Sequence, residues 1–133
     1  MITENYVSFE TAKLLKEKGF DAECDYLYVD GKLVRAQGCA CNWNDGETLF
    51  SDYKNECSAP SLQMVMKWLR EAHRLFIFVS PWIMLENNIQ YYFEIRDIKT
   101  RDFETLYDYT SKELNSFEKV TEAAIKYCLE NLI

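Results

Sequence analysis

Between Ser58 and Trp82 the chain runs from a capped amphipathic helix straight into an apolar segment, and this stretch constrains the fold more than any other. Ser58 or Ala59 precedes Pro60, whose fixed φ suits a first helical turn and whose missing N–H would have had no partner there. Leu62, Val65, Met66, Leu69 and His73 recur at i, i+3, i+4 and i+7, with Ala72 beside them, which assigns one face to the core. Gln63, Lys67, Arg70 and Arg74 take another face, and Met64 and Trp68 form an apolar flank between the two. Leu75-Phe76-Ile77-Phe78-Val79 is apolar throughout, the pattern of a central strand covered on both sides, with Pro81 expected to end it.

The flanking segments supply the rest of the architecture. Val7 to Gly19 reads as a helix with Ser8 as N-cap, Glu10 in the first turn and Gly19 in the left-handed C-terminal position, with Phe20 folding back. Tyr26–Val29 and Lys32–Arg35 flank Asp30-Gly31, and that dipeptide supplies the positive φ pair a type I′ hairpin turn requires. Residues 36–57 lack periodicity; Trp43, Leu49, Phe50 and Tyr53 are the anchors for a long loop or a short strand there. Alternation predicts strands over 88–98 and 103–109, and a last helix from near Ser116 to Leu132. The expected fold is therefore a single α+β domain over residues 1–133. An antiparallel sheet, made of a hairpin plus a three-stranded meander, packs against about three helices in the order α-β-β-α-β-β-β-α.

Composition narrows the function classes. Hydrophobic residues make up 48% of the 133, enough for a real core and too many for a disordered chain. No run of 18 apolar residues exists, so no membrane contact is expected. Met1–Tyr6 has neither the basic region nor the apolar stretch of a signal peptide, and five cysteines are an odd number for paired disulfides, so a reducing cytoplasm is the expected setting. The net charge is −7, concentrated in residues 1–66, which hold 6 Lys/Arg against 11 Asp/Glu. That field repels a nucleic-acid backbone unless a local basic patch overcomes it.

Chemistry-bearing patterns are few. The four glycines fall in no phosphate-binding frame, no G-x-S-x-G or H-E-x-x-H occurs, and the sole histidine, His73, lies on the core stripe; no catalytic residue and no cofactor is expected. Cys24, Cys39, Cys41 and Cys57 would make a four-thiolate zinc site only with an unusual Cys-x-Cys knuckle, so free thiols are the favoured reading. Lys67, Arg70 and Arg74 would serve a nucleic-acid contact, although a charged helix face is ordinarily just solvated. The sheet aromatics Tyr91, Phe93, Tyr107 and Tyr109 resemble a base-stacking platform, but they are also the residues that helices should cover. The feature that points furthest is Pro81-Trp82-Ile83-Met84-Leu85, apolar where a turn between strands should be polar. Joined by Met64 and Trp68, it would make an interface for a protein partner or a second copy of the chain. The acidic first half also admits mimicry of DNA, on charge alone.

Residues 7–20, 59–71 and 122–129 resemble a family of short proteins from gut anaerobic bacteria and their prophages, a family without an assigned activity. The resemblance implies a phage or mobile-element accessory role and transfers no site residue. The expected function is a small non-enzymatic interaction or accessory module.

Overall fold

The computed structural model describes residues 1–45, 56–83, 89–99, 102–106 and 115–133. The fold is α+β: α1 (Phe9–Glu17), β1 (Tyr26–Val29), β2 (Lys32–Arg35), β3 (Cys57–Ser58), α2 (Leu62–His73), β4 (Leu75–Ile83), β5 (Ile89–Asp97), β6 (Asp102–Leu106) and α3 (Phe117–Tyr127), the last continued by a π-helical turn, Cys128–Leu132. The order expected from sequence is present with one addition, the two-residue strand β3. The strands form two three-stranded antiparallel sheets, β2-β1-β3 and β4-β5-β6. By contacts the chain divides into two compact units, Met1–Met64 and Val65–Ile133.

In the first unit the local signals act as read. Ser8 caps α1, its Oγ accepting the Thr11 N–H at 3.3 Å. Gly19, at φ 86°, lets its own N–H reach the Lys16 carbonyl and the Phe20 N–H reach that of Leu15, which closes the helix and buries Phe20. Asp30 and Gly31 take φ values of 51° and 79°, and Val29 pairs with Lys32, giving the two-residue hairpin turn. What sequence left irregular is held by pairing distant along the chain: Leu27 pairs with Ser58 and Tyr28 with Cys57. The core gathers Val7, Ala12, Leu15, Leu27, Trp43 and Ala59, all buried. The Tyr28 hydroxyl donates to the Val7 carbonyl at 2.7 Å, so its buried oxygen is satisfied.

Ser61, two or three residues later than the expected Ala59 or Ser58, caps α2: its Oγ accepts the Met64 N–H at 3.2 Å. Pro60 therefore precedes the cap instead of occupying the first turn. Val65 and Leu69 are fully buried, as the stripe predicts, whereas Ala72 is exposed and His73 only half-buried.

The second unit is the predicted meander with α3 on it. β5 is central, with nine register pairs to β4 and five to β6. Two expectations are corrected here. The strand beginning at Leu75 is an edge strand, not a central one, and its Phe78 is 44% exposed. Pro81 does not end it: β4 continues to Ile83, with Pro81 opposite Tyr91. An edge strand tolerates proline because one of its two sides carries no ladder. Ser116 caps α3 through its Oγ and the Lys119 N–H at 3.2 Å. Phe93, Ile95, Val120, Ala124, Ile125, Cys128 and Leu129 are buried, and Phe117 is 37% exposed. Among the described residues no helix is long and apolar enough to cross a membrane.

Candidate functional site

Strand pleating divides the second unit's sheet into two faces, and their chemistry differs. Ile77, Val79 and Pro81 of β4 lie opposite Ile95, Phe93 and Tyr91 of β5. The Tyr91 ring meets Phe117 of α3 edge-on at 5.7 Å, so α3 lies on this face. The other face presents Phe76, Phe78, Ser80 and Trp82, opposite Arg96, Glu94, Tyr92 and Gln90. Here Phe78 is 44% and Trp82 42% exposed.

Each of these two aromatic rings leans on a diagonal neighbour, the residue two positions beyond its register partner on β5. Trp82 meets Tyr92 edge-to-face with centroids 6.3 Å apart, and Arg96 lies over the Phe78 ring at 5.1 Å. Such diagonal contacts are within reach of aromatic and long side chains on a sheet. Arg96 also approaches Glu94 at 3.8 Å, a wide and partly exposed ion pair that contributes little to stability. The result is a half-exposed row of Phe, Trp, Tyr and Arg, side chains that dominate binding energy at protein interfaces.

Trp82 belongs to this face. Ile83 closes β4, and Met84 and Leu85 lie outside the described residues. Trp68 is half-buried against His73, ring centroids 4.7 Å apart. Met64 is half-buried in the first unit, its sulfur 3.8 Å from Cys24 Sγ. Sequence reasoning passed over Phe78, Tyr92 and Arg96. A signal for them existed: Gln90, Glu94 and Arg96 mark the polar side of β5, and whatever pairs with that side shares its exposure.

The basic set also changes. Lys67 is exposed and Arg70 half-buried on α2, but Arg74 lies beyond the helix end at φ 58°. Its carbonyl accepts the Ile98 N–H at 3.1 Å, so it forms the corner into β4 instead of extending a helical stripe. His73 titrates below its ordinary value, first because burial disfavours the imidazolium and then because Lys99 repels it.

The cysteines scatter. Cys24 and Cys57 are buried, and burial pushes the Cys24 thiol up to about 11 and raises Cys57 as well. Cys39 and Cys41 hold their sulfurs 3.8 Å apart near the surface. Cys41 is raised by the hydrogen bond it shares with Cys39. Among the described residues no three His, Cys, Asp or Glu side chains are placed to hold a metal ion, so Cys24, Cys39, Cys41 and Cys57 do not form the four-thiolate set.

A cleft of about 190 Å³ in the first unit is lined by Glu4, Tyr6, Cys24, Asp25, Pro60 and Met64. It is smaller than the 300–1,000 Å³ or so of ordinary ligand sites. Its thiol is protonated at neutral pH, the wrong state for a nucleophile. Tyr6, raised first by burial, meets the Tyr26 ring at a 40° tilt with centroids 4.4 Å apart. Comparison of the chain with protein-family models, curated proteins and solved structures found no match.

Proposed function

We propose that this chain is a non-enzymatic interaction module that binds a protein partner through the outer aromatic face of β4 and β5. The observation that carries the reading is the exposure of Phe78 and Trp82, 44% and 42%, on either side of Ser80 along one sheet face that also holds Tyr92 and Arg96. Aromatic rings bring large contact area at low conformational cost, and with arginine they are enriched at the centres of contact surfaces. The net charge of −7 selects the occupant. Two copies of the chain repel each other, whereas a partner of positive net charge is steered toward it. The partner is therefore a basic protein with an apolar centre to its contact surface. An accessory role in a phage or mobile element is the setting that the family resemblance adds, and the odd number of cysteines adds a reducing cytoplasm.

A nucleic-acid contact through Lys67, Arg70 and Arg74 is the weaker alternative, because Arg74 leaves the helix and the overall field opposes a phosphate backbone.

The test starts from proteins captured by the wild type, identified and purified, with affinity then measured by calorimetry. Trp82→Ala and Phe78→Ala should each weaken binding by tenfold or more, while Leu33→Ala, an exposed apolar control on β2, leaves it unchanged. Equal affinity for all three variants overturns the proposal. A concentration-dependent dimer abolished by Trp82→Ala assigns the face to a second copy. A salt-dependent nucleic-acid complex lost on Lys67→Ala moves function to α2.

A further inference from the structure

We propose that Cys39 and Cys41 form a thiol–disulfide exchange site, which takes a low-molecular-weight disulfide as its oxidant and closes to an intramolecular Cys39–Cys41 bond. The two sulfurs stand 3.8 Å apart with one residue between them. A disulfide needs about 2.05 Å, so closure requires a movement of a little under 2 Å at the side chains. Cys39 lies in a bend over residues 37–39, and Gly38 at its centre takes φ 102°. A side chain at position 38 would meet no neighbour, but that φ favours glycine.

The two thiols are placed for different tasks. Cys41 is anchored, its N–H donating to the Cys24 carbonyl at 3.3 Å and its own carbonyl accepting the Cys24 N–H at 2.8 Å. Cys39 lies outside that bridge and is exposed, whereas Cys41 is half-buried. Access therefore selects Cys39 as the first thiol to react. Its thiolate attacks one sulfur of the small disulfide R–S–S–R; that S–S bond breaks, the mixed disulfide Cys39–S–S–R forms, and one R–S⁻ leaves with a proton from solvent. The Cys41 thiolate then attacks Cys39 Sγ, forming the Cys39–Cys41 bond and expelling the second R–S⁻. Two protein thiols are oxidised and one small disulfide is reduced to two thiols. The remaining cysteines, Cys24, Cys57 and Cys128, are buried and stay out of the exchange.

The experiment incubates the full chain with a series of oxidised to reduced glutathione ratios, then alkylates and maps by mass spectrometry. Trypsin places Cys39 and Cys41 together in peptide 36–54, with Cys24 in 19–32 and Cys57 in 55–67. Under oxidising ratios peptide 36–54 should lose both alkylation sites, become lighter by two hydrogens and retain no glutathione. Cys41→Ser should hold a glutathione adduct at Cys39, because the resolving thiol is gone. A persistent adduct on the wild type, a link from Cys24 to Cys41, a bond between two chains, or full alkylation at every ratio overturns the proposal.

Discussion

The two units satisfy their backbones by opposite means. In the second, β4 and β5 run nine residues each, and a continuous ladder of nine register pairs joins them. In the first, strands of four, four and two residues are too short for such a ladder. Side chains complete the work: the Trp43 N–H donates to Ser58 Oγ at 3.0 Å and the Trp43 indole Nε1 to the Cys24 carbonyl at 2.7 Å. Asn44 accepts the Ser58 N–H at 2.9 Å and donates to the Phe20 carbonyl at the same distance. Lys16 donates to the Glu56 carbonyl at 2.8 Å. A long sheet can spend one face on a partner, because its ladder and its other face hold the fold. A sheet of short strands has no such face to spare.

The largest predicted effect breaks the first unit at its clamp. Trp43 is 4% exposed, and its indole donates to the Cys24 carbonyl besides filling the core. Trp43→Ala should cost about 3–5 kcal/mol, the ordinary range for truncating a buried aromatic ring. The denaturant midpoint gives the magnitude. Hydrogen exchange locates it, with the amides of β1 and β3 losing protection first. A loss below about 1 kcal/mol would mean that the short strands hold without the clamp.

How far sequence reaches into these two units follows from the range of the interactions. Ser8, Gly19, Asp30-Gly31 and Ser116 act within four residues of themselves, and each was legible. β3 was not, because Cys57 and Ser58 become a strand only by meeting Tyr28 and Leu27. Nor was the course of β4 through Pro81, since local pattern cannot reveal which strand lies at an edge. The same gap hid half of the candidate site. Trp82 stood out as an aromatic residue next to a proline, whereas Phe78 read as core because an apolar run does not state whether both of its faces are covered.

A smaller effect distinguishes the units by pH. The Cys24 thiol rises from 9.0 to about 11 in the folded chain because burial disfavours the thiolate. The folded value lies above the unfolded one, so the stabilisation is fully present below pH 9.0 and is lost as pH rises through about 11. Tyr6 and Cys57 shift in the same direction, and all three lie in the first unit. Urea midpoints measured from neutral pH to pH 11 should therefore fall along the alkaline limb, more steeply for the wild type than for Cys24→Ala. Exchange protection should fail in β1 before it fails in β5. Parallel limbs for the two proteins would show that the Cys24 proton is not coupled to folding.

The smallest effect on stability is predicted where the effect on binding is largest. Phe78→Ala and Trp82→Ala remove rings that already meet solvent on one side, and the contacts they lose include a cation–π pair and one aromatic edge. Exposed contacts of this kind contribute about 0.5–1 kcal/mol, so neither variant should lose more than about 1 kcal/mol. Ile95→Ala is the control from the same sheet. Its side chain is fully buried on the face that meets α3, and its loss should cost about 2–5 kcal/mol. Chemical denaturation of the three variants decides whether the sheet has one structural face and one spare. If Phe78→Ala costs as much as Ile95→Ala, both faces hold the fold and the second unit resembles the first. If the costs separate as expected, the aromatic row does no folding work that would account for it, and its surface is free to meet a partner.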